Sequence, residues 1–319
     1  MIEVLTPGLH TTVQDLGRTG YRHIGVSVSG ALDRQALILA NRLVANPDNA
    51  AGLELTAGTL EFKFHRDAWF SLTGAHYEIN IGSREIWHGW RSKINAGETL
   101  CLRGPKSGMR AYLAVDGGID VPICLGSRST LMTAELGGHQ GRALKVGDRI
   151  PLGDKHSLSK PIGAVQRNYS NEVRALPGPE MALFTQESRR VFWSSQWQVS
   201  NDSNRMGARL SGETLKLAQE QSLNSHAVMP GTIQVPPSGQ PIVLLADGQT
   251  TGGYPKIATV IEADLWKLAQ TRPGQKLQFI HVSPNQAEDA NHEWQQYFYR
   301  LQRAIDANSS CLQLITYSL

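Results

Sequence analysis

The chain has 319 residues, enough for one large domain or two ordinary ones, and 40% of them are hydrophobic while only 18% are charged. With 31 glycines and 15 prolines, this composition favours a turn-rich sheet protein over a helical bundle. The formal net charge is +3 and the basic residues are scattered, which excludes the electrostatic signature of a protein that binds nucleic acid or an anionic membrane. Neither partner is expected.

Cysteine usage and the N-terminal sequence predict a cytoplasmic protein. Cys101, Cys124 and Cys311 are widely spaced, odd in number and set in apolar contexts, so we expect buried free thiols in a reducing compartment. The N-terminus lacks a basic region followed by an apolar one, and no window approaches about 18 uninterrupted apolar residues. Neither secretion nor membrane spanning is therefore expected.

The predicted strands are short apolar or alternating runs separated by Gly, Pro and Asn, and they occur along most of the chain. This spacing is typical of β-barrels and sandwiches. The clearest runs are Leu60–Phe64, Trp69–Leu72, Thr99–Leu102, Ala111–Val115, Ile242–Ala246 and Leu277–Val282.

Helix signals are few and lie near the two ends of the chain. Asp33 is placed to cap a helix over Arg34–Val44, in which apolar residues share one face. A second helix near the C-terminus is predicted from an apolar stripe at helical spacing. This stripe consists of Trp294, Phe298, Leu301 and Ile305.

A change in composition divides the chain into two parts. The stretch from residue 153 to residue 167 is rich in Lys, Ser, Gly and Pro, as linkers are. The sequence therefore predicts an N-terminal domain over residues 1–160 and a C-terminal domain over residues 161–319, the second of which ends in the C-terminal helix.

The most distinctive segment lies between the apolar runs Ile242–Ala246 and Ile257–Ile261. Its glycines let the backbone approach a ligand, its hydroxyls donate and accept hydrogen bonds, and its lysine supplies positive charge. We therefore predict a ligand-binding loop carried on a rigid sheet. The predicted binding residues are Gln249, Thr250, Thr251, Gly252, Gly253 and Tyr254.

Charged residues at the two ends of this loop are candidates for catalysis. Lys256 would neutralise a phosphate or carboxylate beside the backbone amides of Gly252 and Gly253. Asp247 would act as a base or orient a water molecule. The alternative is a tight turn between strands, in which the glycines serve geometry only and Lys256 is solvated.

Gln14, Asp15 and Arg18 form a second polar cluster, just before a glycine-rich stretch. We expect these side chains at a strand-to-loop edge where they face a cleft. The alternative is a local ion pair between Asp15 and Arg18 that pins a turn.

Two further arginines are candidates for anion binding, because the guanidinium matches the geometry of carboxylates and phosphates. Arg128 lies in the polar cluster Ser127–Thr130, and Arg205 follows Asp202. In the alternative interpretation Arg205 and its neighbour Arg209 are simply paired with acidic residues at the surface.

Familiar catalytic signatures do not occur in the sequence. We find no P-loop, no dinucleotide-binding motif, no nucleophile elbow and no two-histidine zinc motif. The ten histidines are scattered without the spacing of metal ligands, so no metal site is predicted.

Several longer motifs follow one another in order along most of the chain. They are Thr11–Arg18, Gly25–Ser27, Ser29–Asp33, Arg110–Val115, Gly117–Pro122, Leu125–Thr130, Asn204–Leu210 and Gly248–Lys256. Together they resemble the KipA-like family, also called the biotin-dependent carboxyltransferase-like family, whose stand-alone bacterial members are similar to the C-type subunit of ATP-dependent 5-oxoprolinase.

The resemblance implies a mainly β fold of two cyclophilin-like β-barrel domains with a few helices. It also implies one component of a multi-chain enzyme, active only in the complex, that works with a directly bound B-type subunit and with an A-type subunit to open 5-oxo-L-proline to L-glutamate at the expense of ATP. The ATP would be shared with the partner. No biotin is expected on this chain, because it has no Met-Lys-Met biotinylation signal.

Roles for individual residues follow from the implied reaction. Lys256 would compensate anionic charge, and Asp247 or Asp15 would handle protons, so these three residues are the catalytic candidates. The residues expected to bind the substrate or a phosphate are Arg18, Gln14, Arg205 and Arg128.

Two alternatives to this function stay open at the level of sequence. One is the carboxyltransferase component of a urea-carboxylase-like system, which would need a biotin carrier and a biotin carboxylase from elsewhere. The other is a KipA-like regulator that binds a kinase inhibitor and performs no catalysis.

Overall fold

Two β units joined at a polar junction make up the fold, as a computed structural model describes for residues 1–165, 167–219 and 221–310. Strands dominate both units, and the helices of the described residues are few. The predicted mainly β fold is therefore confirmed.

The N-terminal unit is a nine-stranded antiparallel sheet that curls into a half-barrel. Its strands are β1 (Ile2–Pro7), β2 (His10–Gln14), β3 (Gly52–Thr56), β4 (Leu60–Phe64), β5 (Ala68–Ile81), β6 (Arg84–Ile86), β7 (Arg91–Ile94), β8 (Thr99–Val115) and β9 (Arg149–Ile150). The sheet order is β2-β3-β8-β4-β1-β9, and β5 pairs with β6, β7 and β8. Alternate side chains such as Phe62 and Phe64 are fully buried, because successive residues of a strand point to opposite faces.

The C-terminal unit is a barrel of seven strands with a two-stranded ribbon at its side. The barrel strands are β10 (Glu172–Pro177), β11 (Gln196–Val199), β12 (Gly207–Ser211), β14 (Thr232–Gln234), β15 (Ile242–Leu244), β17 (Lys256–Val260) and β18 (Lys276–His281), and the ribbon strands are β13 (His226–Ala227) and β16 (Thr251–Gly252). The barrel closes in the order β10-β17-β14-β15-β12-β11-β18, with β10 parallel to β18. Trp197, Phe192 and Phe279 fill its core.

Four helices lie in the described residues: α1 (Arg34–Leu43), α2 (Gln186–Ser194), α3 (Leu265–Gln270) and α4 (Pro284–Ser310). Both predicted helices are confirmed, and the Asp33 side chain accepts a hydrogen bond from the Ala36 amide at 2.9 Å, as expected of an N-cap. The sequence did not predict α2 and α3. The six residues of α3 are too few to show a helical period, and α2 buries only Ser188 and Phe192.

The segment between β9 and β10 holds the two units together. The Arg167 guanidinium lies 3.8 Å from the ring centroids of both Trp266 and Trp294, and it forms a 3.1 Å ion pair with Asp33. One side chain of this segment thus connects the start of α1 with α3 and α4. The domain boundary predicted at residues 160 and 161 falls in the same segment and stays a prediction.

Three further features of the described residues bear on the predictions. None of the helices in the described ranges is long and apolar enough to cross a membrane, and those ranges contain no group of three or more His, Cys, Asp or Glu side chains placed to hold a metal ion. Cys101 and Cys124 are free thiols but only half-buried, so their predicted burial is wrong. Cys101 lies on the side of β8 that faces away from the core, beside Glu61, and Cys311 lies outside the described residues.

Candidate functional site

Five of the polar residues that the sequence singles out meet where the two units join. We define the junction site by the segments 14–18, 27–29 and 127–130 together with Arg205 and Asp247. The Ser29 amide donates to the carbonyl of Ala246 at 2.9 Å, and the Ser27 hydroxyl donates to the carbonyl of Gly248 at 2.8 Å. The segment between β2 and α1 therefore connects the N-terminal sheet directly to the loop that follows β15.

Asp15 holds the N-terminal part of this site in place. Its buried carboxylate accepts hydrogen bonds from the hydroxyls of Ser127 at 2.6 Å and Ser129 at 2.5 Å. It also accepts from the backbone amides of Gly17 at 2.8 Å and Arg128 at 2.6 Å. Because four donors surround this carboxylate, it fixes the loop at residues 127–130 against the end of β2.

Arg18 and Gln14 keep hydrogen-bonding capacity that the described residues do not use. Arg18 is 1% exposed and donates from Nη2 to the carbonyl of Ser129, whereas its Nε and Nη1 have no acceptor in the described part of the chain. Gln14 is fully buried and donates from Nε2 to Thr12 Oγ1 and to the carbonyl of Thr130, whereas its Oε1 has no donor there. Burial lowers the pKa of Arg18, and Asp15 opposes this shift only in part. The alternative of a direct Asp15–Arg18 ion pair is therefore wrong.

Arg205 differs from Arg18 in that buried carboxylates surround its guanidinium. Its guanidinium binds Asp247 with two hydrogen bonds, of 2.8 and 3.0 Å, and Glu54 with one of 2.5 Å. It also donates to the carbonyl of Gly30 at 2.6 Å. The alternative of a surface ion pair is wrong for Arg205, since it is buried and its carboxylate partners come from both units.

Glu54 carries this network into the N-terminal sheet. It lies in β3, and its Oε2 accepts hydrogen bonds from the Tyr112 hydroxyl at 2.8 Å and the Leu32 amide at 2.9 Å. Burial acts to raise the pKa of Glu54, but the guanidinium groups of Arg205 and Arg110 hold it below its ordinary value. Burial likewise acts to lower the pKa of Arg205, whereas Glu54 and Asp247 raise it above its ordinary value.

Arg128 contributes to the site with its backbone. Its amide serves Asp15, as described above, but its guanidinium turns outward and pairs with Asp120 at 2.8 Å. The same guanidinium donates to the carbonyl of Val121 at 2.8 Å. The predicted anion-binding role of the Arg128 side chain would require it to leave Asp120.

Lys256 lies in a separate cluster at the start of β17. Its ammonium is buried, 3.8 Å from Glu180 Oε2, 3.5 Å from His226 Nδ1 and 3.1 Å from the carbonyl of Tyr254. Burial lowers the pKa of Lys256, and Glu180 opposes this shift only in part. A solvated turn lysine is therefore ruled out, while the half-exposed His226 connects the cluster to solvent.

The loop between Asp247 and Lys256 packs against protein. Its Thr251 and Gly252 form the ribbon strand β16, which pairs with β13. A side chain at position 252 would place its Cβ 2.4 Å from Gln234 Nε2, so a larger residue there would have to displace the Gln234 amide. Gln249 Nε2 lies 3.5 Å from Gln234 Oε1, and Tyr254 is half-exposed. The loop glycines therefore serve internal packing as well as any ligand.

The structure thus brings Gln14, Asp15, Arg18, Arg205 and Asp247 together and sets Lys256 and the predicted loop residues apart. Five residues of these two clusters were not among the predicted site residues: Glu54, Ser27, Glu180, His226 and Gln234. Glu54 had a recognisable signal, because it is a carboxylate between two leucines in the fully buried strand β3. Ser27 ends the motif Gly25–Ser27, whereas Glu180, His226 and Gln234 have no signal of their own, since distant contacts define them.

Comparison with known proteins settles the family. The family model of the carboxyltransferase domain, subdomains A and B, matches residues 24–281 of this chain. The chain belongs to this carboxyltransferase family. The family assignment that the sequence motifs predict is therefore confirmed.

Individual members of the family differ in how much of them this chain covers. The chain is 49% identical to the C-type subunit of 5-oxoprolinase from Escherichia coli (strain K12), over 94% of this chain and 97% of that protein. It is 40% identical to the C-type 5-oxoprolinase subunit of Haemophilus influenzae, over 96% and 99%. The crystal structure of K. lactis urea amidolyase superposes with a TM-score of 0.85 at 31% identity, over 93% of this chain but 20% of that one.

Proposed function

We propose that this chain is the C-type subunit of an ATP-dependent 5-oxoprolinase, which opens 5-oxo-L-proline to L-glutamate together with A-type and B-type subunits. One observation carries this proposal: the chain matches a C-type 5-oxoprolinase subunit almost from end to end, at 49% identity over 97% of that protein. The proposal includes a direct contact with the B-type subunit, activity only in the complex, and a cytoplasmic location.

The reaction needs an activated substrate, because resonance makes the carbonyl carbon of a five-membered lactam a poor electrophile. ATP supplies that activation in the proposed enzyme. A triphosphate needs several unmatched cations or free N–H groups around it. Lys256 already faces Glu180, and two carboxylates already neutralise Arg205. These residues do not fit a triphosphate, so we place the nucleotide mainly on a partner and the lactam on this chain.

The geometry suggests distinct roles for the three catalytic candidates. Asp247 holds Arg205 in a fixed orientation at the junction, and Asp15 fixes the loop that carries Ser129. Both carboxylates then act as positioning groups. Lys256 supplies a buried positive charge whose lowered pKa also suits a proton donor, and His226 connects it to solvent.

The second candidate function is carboxyl transfer, favoured by the family description and by the TM-score of 0.85 to urea amidolyase. Carboxyl transfer in a biotin-dependent system requires a carrier that swings the carboxylated biotin between active sites. Avidin blocks such a carrier. Strong inhibition by avidin, or bicarbonate-dependent carboxylation of urea, would place this function first.

The proposed function is tested by co-expressing this chain with the two presumed partners and measuring glutamate release from 5-oxo-L-proline. We expect release only when ATP and all three chains are present. The proposal fails if the two partners release glutamate at the full rate without this chain. It also fails in part if this chain alone turns over the substrate, because the site would then not depend on the complex.

A further inference from the structure

Two buried arginines of this chain differ sharply in how well their guanidinium groups are satisfied. Arg18 is 1% exposed and Arg91 is 3% exposed. All three nitrogens of Arg91 donate to carbonyls: Nε and Nη2 to Lys160 and Nη1 to Leu43. Arg18 uses Nη2 alone, so the one N–H of Nε and the two of Nη1 find no acceptor in the described ranges. Leaving a charged donor unmatched in the interior is costly, and Arg91 shows that this fold can avoid that cost.

Two buried glutamines show the same contrast. In Gln270, Oε1 accepts from the amides of Met109 at 3.0 Å and Arg110 at 3.1 Å, and Nε2 donates to Asp33 at 2.9 Å. In Gln14, Nε2 is satisfied but Oε1 has no donor within the residues that the structure describes. Gln14 thus has an unmet acceptor, whereas Arg18 has unmet donors.

The two unmet groups belong to one small region of the junction site. Arg18 is anchored on the carbonyl of Ser129, and Gln14 on the carbonyl of the next residue, Thr130. The Ser29 hydroxyl donates to the same Thr130 carbonyl at 2.8 Å. Ser129 and Thr130 are consecutive residues, so the two anchors lie next to each other in the loop at residues 127–130 of the junction site.

We propose that Arg18 and Gln14 form a subsite for a small cyclic amide that carries a carboxylate. Arg18 donates to the carboxylate, and Gln14 Oε1 accepts a hydrogen bond from the amide N–H. An anionic acceptor matches a buried cation, and an N–H matches a buried amide oxygen, so one ligand satisfies both unmet groups. This inference rests on the proposed function, because 5-oxo-L-proline is such a molecule.

The subsite is tested by titration calorimetry on the full-length chain with three probes. The first probe, 5-oxo-L-proline, carries both the carboxylate and the lactam N–H. Cyclopentanecarboxylate carries only the carboxylate, and 2-pyrrolidinone only the lactam. We expect saturable binding of 5-oxo-L-proline, weaker binding of cyclopentanecarboxylate by about 3- to 10-fold, and weaker binding of 2-pyrrolidinone by about 10- to 100-fold.

Variants with matched controls assign these preferences to residues. Arg18→Met should weaken the binding of 5-oxo-L-proline by about 10- to 100-fold and leave the affinity for 2-pyrrolidinone unchanged. Gln14→Met should weaken the binding of 5-oxo-L-proline by about 3- to 10-fold and leave the affinity for cyclopentanecarboxylate unchanged. The controls Arg91→Met and Gln270→Met remove equally buried but fully satisfied side chains, so they should leave the order of the three probes intact.

The outcome separates this inference from the function on which it rests. If the chain binds no 5-oxo-L-proline, or if Arg18→Met binds it as tightly as the native chain, the subsite is wrong. If cyclopentanecarboxylate binds as tightly as 5-oxo-L-proline, Gln14 does not accept a hydrogen bond from the lactam N–H, and its part in the subsite is wrong. If the complex releases no glutamate but 5-oxo-L-proline still binds in an Arg18-dependent way, the proposed function is wrong and the subsite stands. In an active complex, an Arg18→Met variant with an unchanged KM would remove the subsite alone.

Discussion

The Arg205 network and the Arg18–Gln14 pair lie in the same junction, yet they treat buried polar groups in opposite ways. Arg205 is surrounded by two carboxylates and a carbonyl, and each unit supplies one of the carboxylates. Arg18 and Gln14 are also buried, but within the described residues two nitrogen donors of Arg18 and one oxygen acceptor of Gln14 have no partner. A satisfied network stabilises the arrangement of the two units, whereas an unsatisfied pair costs stability and retains the capacity to bind.

The largest expected effect comes from opening the Arg205 network. Arg205→Met removes the cation that the buried carboxylates of Asp247 and Glu54 share, and it should lower the free energy of unfolding by about 3–5 kcal/mol. Chemical denaturation of the full chain measures this loss. Arg190→Met is the control, because the Arg190–Glu187 pair is 67% exposed on both sides and should change stability by at most about 0.5 kcal/mol. Equal effects of the two substitutions would show that the junction network does not stabilise the fold.

Lys256 tests whether the second cluster contributes to catalysis. Lys256→Met removes a buried positive charge and should cost about 2–4 kcal/mol of transition-state stabilisation in the assembled enzyme, measured as kcat/KM for glutamate release. Stability should also fall, since Glu180 loses its partner. The double variant Lys256→Met with Glu180→Gln should recover stability but not activity. Recovery of activity in the double variant would make the cluster structural only.

Glu54 provides a pH test of the junction network. Its pKa in the folded chain is lowered from the ordinary value of 4.5, so the stability that it contributes is fully present above about pH 4.5 and is lost as the pH falls through the lower folded value. Glu54→Gln should lower stability at neutral pH by about 1–3 kcal/mol. It should also make the acid-induced loss of stability below pH 4.5 shallower than in the native chain. An unchanged slope would show that Glu54 does not titrate with folding.

The smallest expected change in the free energy of unfolding lies at the end of α1, outside both clusters. Ala45 has φ 58° and is exposed, so a residue with a Cβ occupies the left-handed position that glycine favours after a helix. Ala45→Gly should raise the free energy of unfolding by about 0.5–1 kcal/mol. Ala304→Gly within α4 should lower it by about 1 kcal/mol, because φ there is helical. Destabilisation by both substitutions would contradict the strain at Ala45.

The fold was largely accessible from the sequence because its signals are local. Alternation at Leu60–Phe64 and the capping position of Asp33 depend on residues close together in the chain, and the structure confirms both. The helix α3 escaped detection because its six residues depend on packing against the sheet for their conformation.

The site was accessible only in part, because its partners are far apart in sequence. The polar residues Arg18, Arg205 and Asp247 could be selected by residue type, but that Arg205 is saturated and Arg18 is not depends on contacts across more than a hundred residues. The sequence likewise placed Lys256 at the end of a loop, whereas it is the first residue of β17, is buried, and contacts His226 of the ribbon.

The most direct test of the contrast between the two regions is thermal unfolding of the full-length chain with and without 5-oxo-L-proline. A ligand that binds only the folded state, and is present at a concentration about 100 times its dissociation constant, stabilises that state by about 2.7 kcal/mol. We predict this stabilisation for the native chain and for Arg91→Met, and a smaller one of about 0.4–1.4 kcal/mol for Arg18→Met, whose affinity should be about 10- to 100-fold lower and whose stability without ligand should be close to native. A ligand-induced shift in Arg18→Met equal to that of the native chain would contradict the assignment of Arg18 to the binding site.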